Sequence, residues 1–167
     1  DQNDYEQRVA SASFFGTLQA GFTNFHYLRE IWQKTTEKDA LLGIGMTGIA
    51  SGEVLELDMK KAAIVAKDTN EKTAARIGTQ KAARVTCVKP SGTTSCVLGT
   101  SSGIHAWHND YYIRRIRVGK TESIYDYFLK KHPELLEDDY FRPHAQACIS
   151  IPIKAPEGAI LRTEDPV

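Results

Sequence analysis

Apolar residues in the first fifth of the chain recur at spacings of three and four, which is the period of an α-helix. The members of this stripe are Val9, Ala12, Phe15, Leu18, Phe22, Phe25, Leu28 and Trp32. The pattern predicts helix from Asp4 to about Gln33, with Gly16 and Gly21 as points at which it can divide into two pieces. Because an amphipathic helix buries its apolar stripe, the aromatic residues are predicted to lie in a core.

A second helical stripe runs from Asp58 to Ile77. Its apolar members are Met59, Ala62, Ala63, Val65, Ala66, Ala74 and Ile77. Asp58 is a residue type that caps helix N-termini, and the polar run 68–70 is a potential interruption. The charged face of this helix is predicted to be solvated.

Short apolar runs between these stripes predict strands. They are Leu41–Met46, Val85–Val88, Tyr111–Val118 and Ala147–Lys154. A further helix is predicted from Thr121 to Lys131, capped near Thr121 and stopped by Pro133, and an acidic, aromatic loop from Glu134 to Arg142. The alternation of helices with short strands indicates an α/β fold, and no linker divides residues 1–167, so a single domain is predicted.

Composition narrows the class of protein without identifying it. The 167 residues are 41% hydrophobic and 25% charged, which is typical of a globular domain, and 21 basic residues balance 21 acidic ones. This balance favours neither nucleic acid nor an anionic membrane as a partner. Three cysteines without CxxC spacing indicate neither a disulfide scaffold nor a structural zinc site, and fit a reducing cytoplasm.

The stretch with most chemical content is Ser91-Gly92-Thr93-Thr94-Ser95, which follows an apolar run and Lys89-Pro90. It predicts a strand, a tight turn and a helix start, with Ser and Thr able to cap free N–H groups and Gly92 leaving room for a ligand. A helix N-terminus of this kind suits phosphate or carboxylate. From these residues alone, an anion site and an ordinary helix cap are equally favoured.

Other reactive side chains carry weaker signals. Cys87 and Cys148 lie in apolar strand patterns and are predicted to be buried and inert, whereas Cys96 follows the serine-threonine loop, where a thiol pKa can fall. His105, His108 and Asp110 are near in sequence but lack a distant fourth ligand, so a metal site is not predicted.

The arginines of the predicted strand 111–118 can bind phosphate or can pair with acidic side chains at the surface, and the second is the commoner case.

Several short motifs in order resemble the large-subunit barrel of ribonucleotide reductases, most closely the adenosylcobalamin-dependent type. They are Leu42-Gly43-Ile44-Gly45-Met46-Thr47-Gly48, the Cys87–Ser95 strand and loop, Ser102-Gly103-Ile104-His105, Tyr111-Tyr112-Ile113-Arg114-Arg115 and Cys148-Ile149-Ser150-Ile151-Pro152-Ile153-Lys154. The last two point toward the monomeric, ribonucleoside-triphosphate branch.

The resemblance implies that the chain is the C-terminal portion of a ten-stranded α/β barrel. It implies that Ser91, Gly92, Thr93, Thr94 and Ser95 hold the phosphates of a ribonucleotide substrate. Adenosylcobalamin would generate the radical in the parent enzyme, and a thiol reductant such as thioredoxin would supply electrons. The remainder of the barrel is the implied partner, and we expect the fragment to pair with another copy or to bury its open edges differently.

One family motif is absent from this chain. Asn-x-Cys-x-Glu, which in the family carries the thiyl radical cysteine, does not occur, and we expect it to lie before Asp1 in a longer enzyme. No residue of this chain is therefore predicted to be catalytic, and the isolated chain is expected to be inactive.

Two other interpretations stay open at this point. One is a non-enzymatic nucleotide- or phosphate-binding α/β module. The other is an unrelated hydrolase that uses Cys148 or Ser91 with His105, although neither nucleophile lies in a GxSxG context.

Overall fold

The structure is a computed structural model, and it describes residues 1–162. Its contacts divide the chain into two compact units, Asp1–Ala106 and a second unit that begins at Trp107. Compactness alone does not decide whether the units fold separately, so the single domain stays a prediction. None of the described helices is long and apolar enough to cross a membrane.

Four α-helices belong to the first unit, besides the short 3-10 helices Ile49–Ser51 and Glu53–Glu56. They are α1 (Gln2–Ala20), α2 (Glu30–Asp39), α3 (Met59–Ile77) and α4 (Gly92–Leu98). The helix predicted from residue 4 to 33 is two helices, which divide at Gly21 as predicted and not at Gly16; the predicted end near Gln33 is wrong, because α2 extends to Asp39. Asp58 caps α3 as predicted, because its Oδ1 accepts from the N–H of Lys61 at 2.9 Å, and the run 68–70 does not interrupt the helix.

Small residues, not aromatic ones, form the contact between α1 and α3. Ser13 and Thr17 are buried, and the Ser13 hydroxyl donates to the carbonyl of Ala66 at 2.7 Å. Phe22, by contrast, is 80% exposed, and Phe15 and Trp32 are also largely exposed. The prediction of an aromatic core is therefore wrong: α1 meets α3 through its small residues rather than through Phe15, and Phe22 and Trp32 lie outside α1.

Two extended segments run parallel beneath these helices. Ile44 forms a parallel bridge with Thr86, and the N–H of Leu42 donates to the carbonyl of Arg84 at 3.0 Å. The predicted strands 41–46 and 85–88 are thus extended but pair only around this bridge. Leu42, Ala66 and Val85 form the core of the unit.

As far as residue 162, the second unit contains a three-stranded antiparallel sheet and one α-helix. The strands are β1 (Tyr111–Gly119), β2 (Leu136–Asp138) and β3 (Gln146–Lys154), in the order β1-β3-β2, and the helix is α5 (Ser123–Lys131). The predicted strands 111–118 and 147–154 are confirmed, and they pair in register from Tyr111 opposite Lys154 to Gly119 opposite Gln146.

The start of α5 and the loop after it can be compared with their predictions. Helix α5 begins near Thr121 as predicted, with Glu122 as its N-cap, and the Glu122 Oε1 accepts from the N–H of Gly119 at 2.9 Å. The predicted loop 134–142 contains β2, whose Leu136 lies opposite Ile149 and packs against the core of Val118, Ala147 and Ile149. Burying Leu136 on the sheet explains why this acidic stretch becomes a strand. The fold is mixed α/β with a small sheet.

Candidate functional site

The serine-threonine loop, Ser91–Ser95, leads directly into α4. Ser91 has a left-handed backbone (φ 52°), and no side chain among the described residues caps the first turn of α4. The predicted Ser/Thr cap is therefore wrong. The Ser95 hydroxyl donates instead to the carbonyl of Gly92 at 2.7 Å, and the Ser95 N–H donates to the carbonyl of Ser91 at 2.9 Å.

The outer part of this loop is open. Gly92, Thr93 and Thr94 are exposed, whereas Ser95 is buried. A Cβ placed on Gly92 would meet nothing within 4 Å. The first N–H groups of an α-helix have no partner within the helix, so those of α4 are available to an acceptor from outside.

A second loop, which contains Ser102 and Gly103, packs against the residues just before the serine-threonine loop. The Ser102 hydroxyl donates to the carbonyl of Pro90, and an added Cβ on Gly103 (φ 52°) would lie 2.5 Å from the carbonyl oxygen of Lys89. Gly103 is thus required both by its backbone angle and by its close approach to the serine-threonine loop.

A third loop, which contains Thr47 and Gly48, forms hydrogen bonds with the second loop. The Thr47 hydroxyl donates to the carbonyl of Ser101 at 3.0 Å, and the Gly48 N–H donates to the same oxygen at 2.9 Å. The Thr47 oxygen also accepts from the N–H of Gly103 at 3.2 Å. Thr47, Gly48 and Gly103 belong to motifs that carry the family resemblance, and glycines beside hydroxyl residues in both motifs are the sequence signal of this support.

One buried hydroxyl in this group has no partner among the described residues. Ser101 is 4% exposed, and its Oγ makes no hydrogen bond within the described part of the chain. Thr100 beside it bonds through its hydroxyl to Ser51 at 3.0 Å. Hydrogen bonds therefore connect the three loops, and the Ser101 hydroxyl is a buried polar group that takes no part in them within the described residues.

The cysteines and histidines form no second site. Cys87 and Cys96 are exposed, so the prediction of a buried Cys87 is wrong, whereas Cys148 is buried as predicted. The Cys148 Sγ lies 3.8 Å from the Oδ2 of Asp139. A buried thiol beside a carboxylate does not suit a nucleophile, which weakens the hydrolase interpretation. Among residues 1–162, no three His, Cys, Asp or Glu side chains converge as metal ligands.

Two of the three arginines of β1 pair with acids, as predicted for the commoner case, while Arg114 donates to the hydroxyl of Tyr112 at 3.3 Å. Arg115 pairs with Glu137, and the Nε of Arg117 donates to the Oδ2 of Asp139 at 2.8 Å. The Asp139 side chain also accepts from the N–H groups of Phe141 and Arg142. The hydrogen bond from Arg117, together with these backbone bonds, lowers the pKa of Asp139, and the same pair raises the pKa of Arg117.

Comparison with known proteins gives relatives of one kind. No family model matches the chain. It is 40% identical over 70 residues to an adenosylcobalamin-dependent ribonucleoside-triphosphate reductase of Lactobacillus gasseri, a match that covers 42% of this chain and 9% of that protein. It is 31% identical over 96 residues to a probable adenosylcobalamin-dependent ribonucleoside-triphosphate reductase of Dictyostelium discoideum, covering 54% of this chain and 12% of that protein.

A solved structure agrees in fold. The crystal structure of a B12-dependent (class II) ribonucleotide reductase matches with a TM-score of 0.63 at 20% identity, over 79% of this chain and 23% of that one. The chain thus spans only about a tenth of the length of the curated relatives that it matches. The resemblance drawn from the sequence motifs is confirmed.

Proposed function

We propose that this chain, a relative of the adenosylcobalamin-dependent ribonucleoside-triphosphate reductases, is part of a ribonucleotide reductase and supplies its substrate phosphate site. In this proposal the parent enzyme replaces the 2′-hydroxyl of a ribonucleotide by hydrogen, and this chain contributes to a ten-stranded α/β barrel. The relatives' names specify triphosphates, so we propose a ribonucleoside triphosphate as the substrate.

The observation that carries the proposal is the open first turn of α4 on a fixed support. Gly92, Thr93 and Thr94 are exposed, while Ser102 and Gly103 hold the preceding residues Lys89 and Pro90 in place. An anion site works best when its donors do not have to move as the ligand arrives. The support from the neighbouring loops provides this rigidity.

The proposed chemistry of the loop is binding and orientation. Backbone N–H groups of residues 92–94 and the hydroxyls of Thr93 and Thr94 donate to phosphate oxygens, and Ser91 lies at the turn that aims them. Ser95 stabilises the loop, because its hydroxyl and its N–H donate to the carbonyls of Gly92 and Ser91 and so close the first turn of α4. A helix N-terminus stabilises an anion by ~0.3–1 kcal/mol at an exposed site, so inorganic phosphate alone should bind weakly. Fixing the phosphates orients the ribose for reaction elsewhere in the enzyme.

The cofactor is proposed for the parent enzyme, not for the residues described here. Adenosylcobalamin supplies radical chemistry when it is bound. A groove of about 610 Å³ in the first unit is lined mainly by alanine, glycine and leucine, with no charged side chain in its lining. Such a lining does not fit a corrin with its many polar side groups, so none of these residues is assigned to the cofactor.

The proposal implies two kinds of partner. The remainder of the reductase must supply the radical cysteine, because this chain has no Asn-x-Cys-x-Glu motif. A dithiol reductant such as thioredoxin would restore the reduced state of the parent enzyme after each turnover.

Substitutions in the loop test the proposal in the longer parent enzyme. Gly92→Val places a branched side chain where phosphate approaches, and the double variant Thr93→Val, Thr94→Val removes two hydroxyl donors. Hydrogen bonds to charged groups are worth ~1.5–3 kcal/mol, so nucleotide affinity should fall about tenfold or more per hydroxyl while cobalamin affinity is unchanged.

Thr35→Val, on the exposed surface of α2, is the matched control for loss of a threonine hydroxyl. It should leave nucleotide affinity unchanged. If calorimetric titration gave the same affinity for the parent and both loop variants, the loop would be a plain helix start and the phosphate site would be wrong.

A further inference from the structure

The third loop, which contains Thr47 and Gly48, lies very close to residues 100 and 101. Gly48 has a left-handed backbone (φ 81°), and an added Cβ there would overlap the side chain of Thr100. Its N–H donates to the carbonyl of Ser101 at 2.9 Å. Only glycine permits this approach, which brings the preceding side chain, that of Thr47, against the backbone of the second loop.

The hydroxyl of Thr47 bonds to that backbone on both sides of Ser102. It donates to the carbonyl of Ser101 at 3.0 Å and accepts from the N–H of Gly103 at 3.2 Å. A hydroxyl can donate one hydrogen bond while it accepts another, and a methyl group of the same size can do neither. The side chain of Thr47 therefore fixes two backbone groups that flank Ser102.

The residues fixed in this way hold the start of the serine-threonine loop. The Ser102 hydroxyl donates to the carbonyl of Pro90, and Gly103 packs against the carbonyl of Lys89. A shift of Ser102 and Gly103 would therefore shift the residues from which the serine-threonine loop begins.

The same stretch also contacts the far end of the first turn of α4. The N–H of Thr100 donates to the carbonyl of Ser95 at 3.0 Å. Residues 100–103 thus bond to the chain both before and after the exposed residues 92–94, whose N–H groups are the proposed donors to phosphate. Ordering loose donors when a ligand binds costs free energy, so an anion site loses affinity when its support loosens.

We propose that Thr47 is a positioning residue for the phosphates of the substrate. It contacts no phosphate itself and acts through Ser101 and Gly103, whose positions set those of Pro90 and of the exposed donors. This role rests on the proposed function, because it requires that residues 91–95 bind phosphate. The chemical requirement is a hydroxyl at position 47, which serine can meet and valine cannot.

Nucleotide titration of the longer parent enzyme tests this role with two substitutions at one position. Thr47→Val keeps the shape of the side chain but removes both hydrogen bonds, so affinity for a ribonucleoside triphosphate should fall about tenfold, the effect of roughly one neutral hydrogen bond. Thr47→Ser keeps the hydroxyl and should bind within about twofold of the unmodified enzyme. Cobalamin affinity should be unchanged in both variants, which verifies that they are folded.

Thr100→Val is the matched control, because it removes another threonine hydroxyl that lies beside Gly48. That hydroxyl bonds to Ser51 at 3.0 Å and not to the second loop. Its loss should lower the free energy of unfolding about as much as Thr47→Val does, yet change nucleotide affinity by less than about twofold. An equal loss of affinity in both variants would show that Thr47 only stabilises the fold, and would overturn the proposal.

Combining Thr47→Val with Gly92→Val separates positioning from a general loss of structure. Gly92→Val blocks the approach of phosphate, so the position of the donors then matters little and Thr47→Val should add less than about twofold. The same fold-change in both backgrounds would overturn the proposal, as would a loss of affinity in Thr47→Ser equal to that in Thr47→Val.

The same titrations separate a failure of this role from a failure of the phosphate site. If Gly92→Val weakens binding and Thr47→Val does not, residues 91–95 bind phosphate but Thr47 does not position them. If neither variant changes the affinity, the proposed phosphate site is wrong and so is the role of Thr47.

Discussion

Gly103 lies so close to the serine-threonine loop that one added carbon would displace it. Gly103→Ala should destabilise the first unit, because alanine pays ~1–2 kcal/mol for a left-handed backbone and its Cβ would overlap the carbonyl of Lys89. Gly99→Ala is the matched control, since Gly99 also has a positive φ of 64° but faces open space. Urea unfolding should give the Gly103 variant a clearly lower free energy of unfolding than the Gly99 variant. Equal free energies would contradict the close contact.

Asp139 is the residue whose charge most clearly supports the second unit. Its pKa is lowered in the folded state, chiefly by Arg117, so the unfolded chain binds its proton more readily. The stabilising contribution is therefore complete above the ordinary aspartate pKa and is lost as the pH falls through the lowered folded value. Unfolding measured from pH 6 downward should show a smaller loss of stability for Asp139→Asn than for the unmodified chain.

The Arg117→Met variant tests whether Arg117 is the cause. In the otherwise unmodified chain, this substitution should reduce the loss of stability that occurs as the pH falls. In the Asp139→Asn background it should change little, because the partner carboxylate is then already absent. Equal effects in both backgrounds would assign the pKa shift to another group.

Asp58 is the clearest case of a residue that determines where an element begins. Asp58→Ala removes the side-chain acceptor for the N–H of Lys61 and should cost about 1 kcal/mol of unfolding free energy. Asp68→Ala, at an exposed position inside α3, should be neutral or slightly stabilising, because alanine has the higher helix propensity. An Asp68 variant as unstable as the Asp58 variant would show that charge, not capping, matters here.

Elements governed by local chemistry could be predicted from the sequence. Asp58 caps α3 in the same way in any surroundings, and the alternating pattern from Tyr111 indicates β1 whatever its neighbours are. The aromatic residues of the first predicted helix could not be placed, because the periodicity of Phe15 and Phe22 does not say which surface covers them. Within residues 1–162, α1 meets α3 through Ser13 and Thr17 on a different face.

The candidate site was predicted in part. The loop Ser91–Ser95 was singled out from its residue types, but Thr47, Ser102 and Gly103 were not recognised as its support. Their contacts join positions more than ten residues apart, as from Ser102 to Pro90, or more than fifty apart, as from Thr47 to Ser101. Such contacts depend on the tertiary fold, and no local periodicity encodes them.

At the scale of the whole molecule, the exposed apolar surface is what the proposed function has to explain. Phe22, Tyr27 and Phe141 are each more than three-quarters exposed, at 80%, 99% and 77%. Uncovered apolar groups of this size favour association, so we expect the isolated chain to self-associate as its concentration rises. Sedimentation velocity over a concentration series measures this, and a monomer at every concentration would contradict it.

The central claim is that this chain is part of a ribonucleotide reductase whose radical chemistry lies elsewhere in the enzyme. Sequencing the reading frame upstream of the Asp1 codon tests it most directly. The frame should continue without a stop and encode Asn-x-Cys-x-Glu, the motif that residues 1–167 lack. A stop codon followed by a start codon just before Asp1, with no such motif in frame, would contradict the claim.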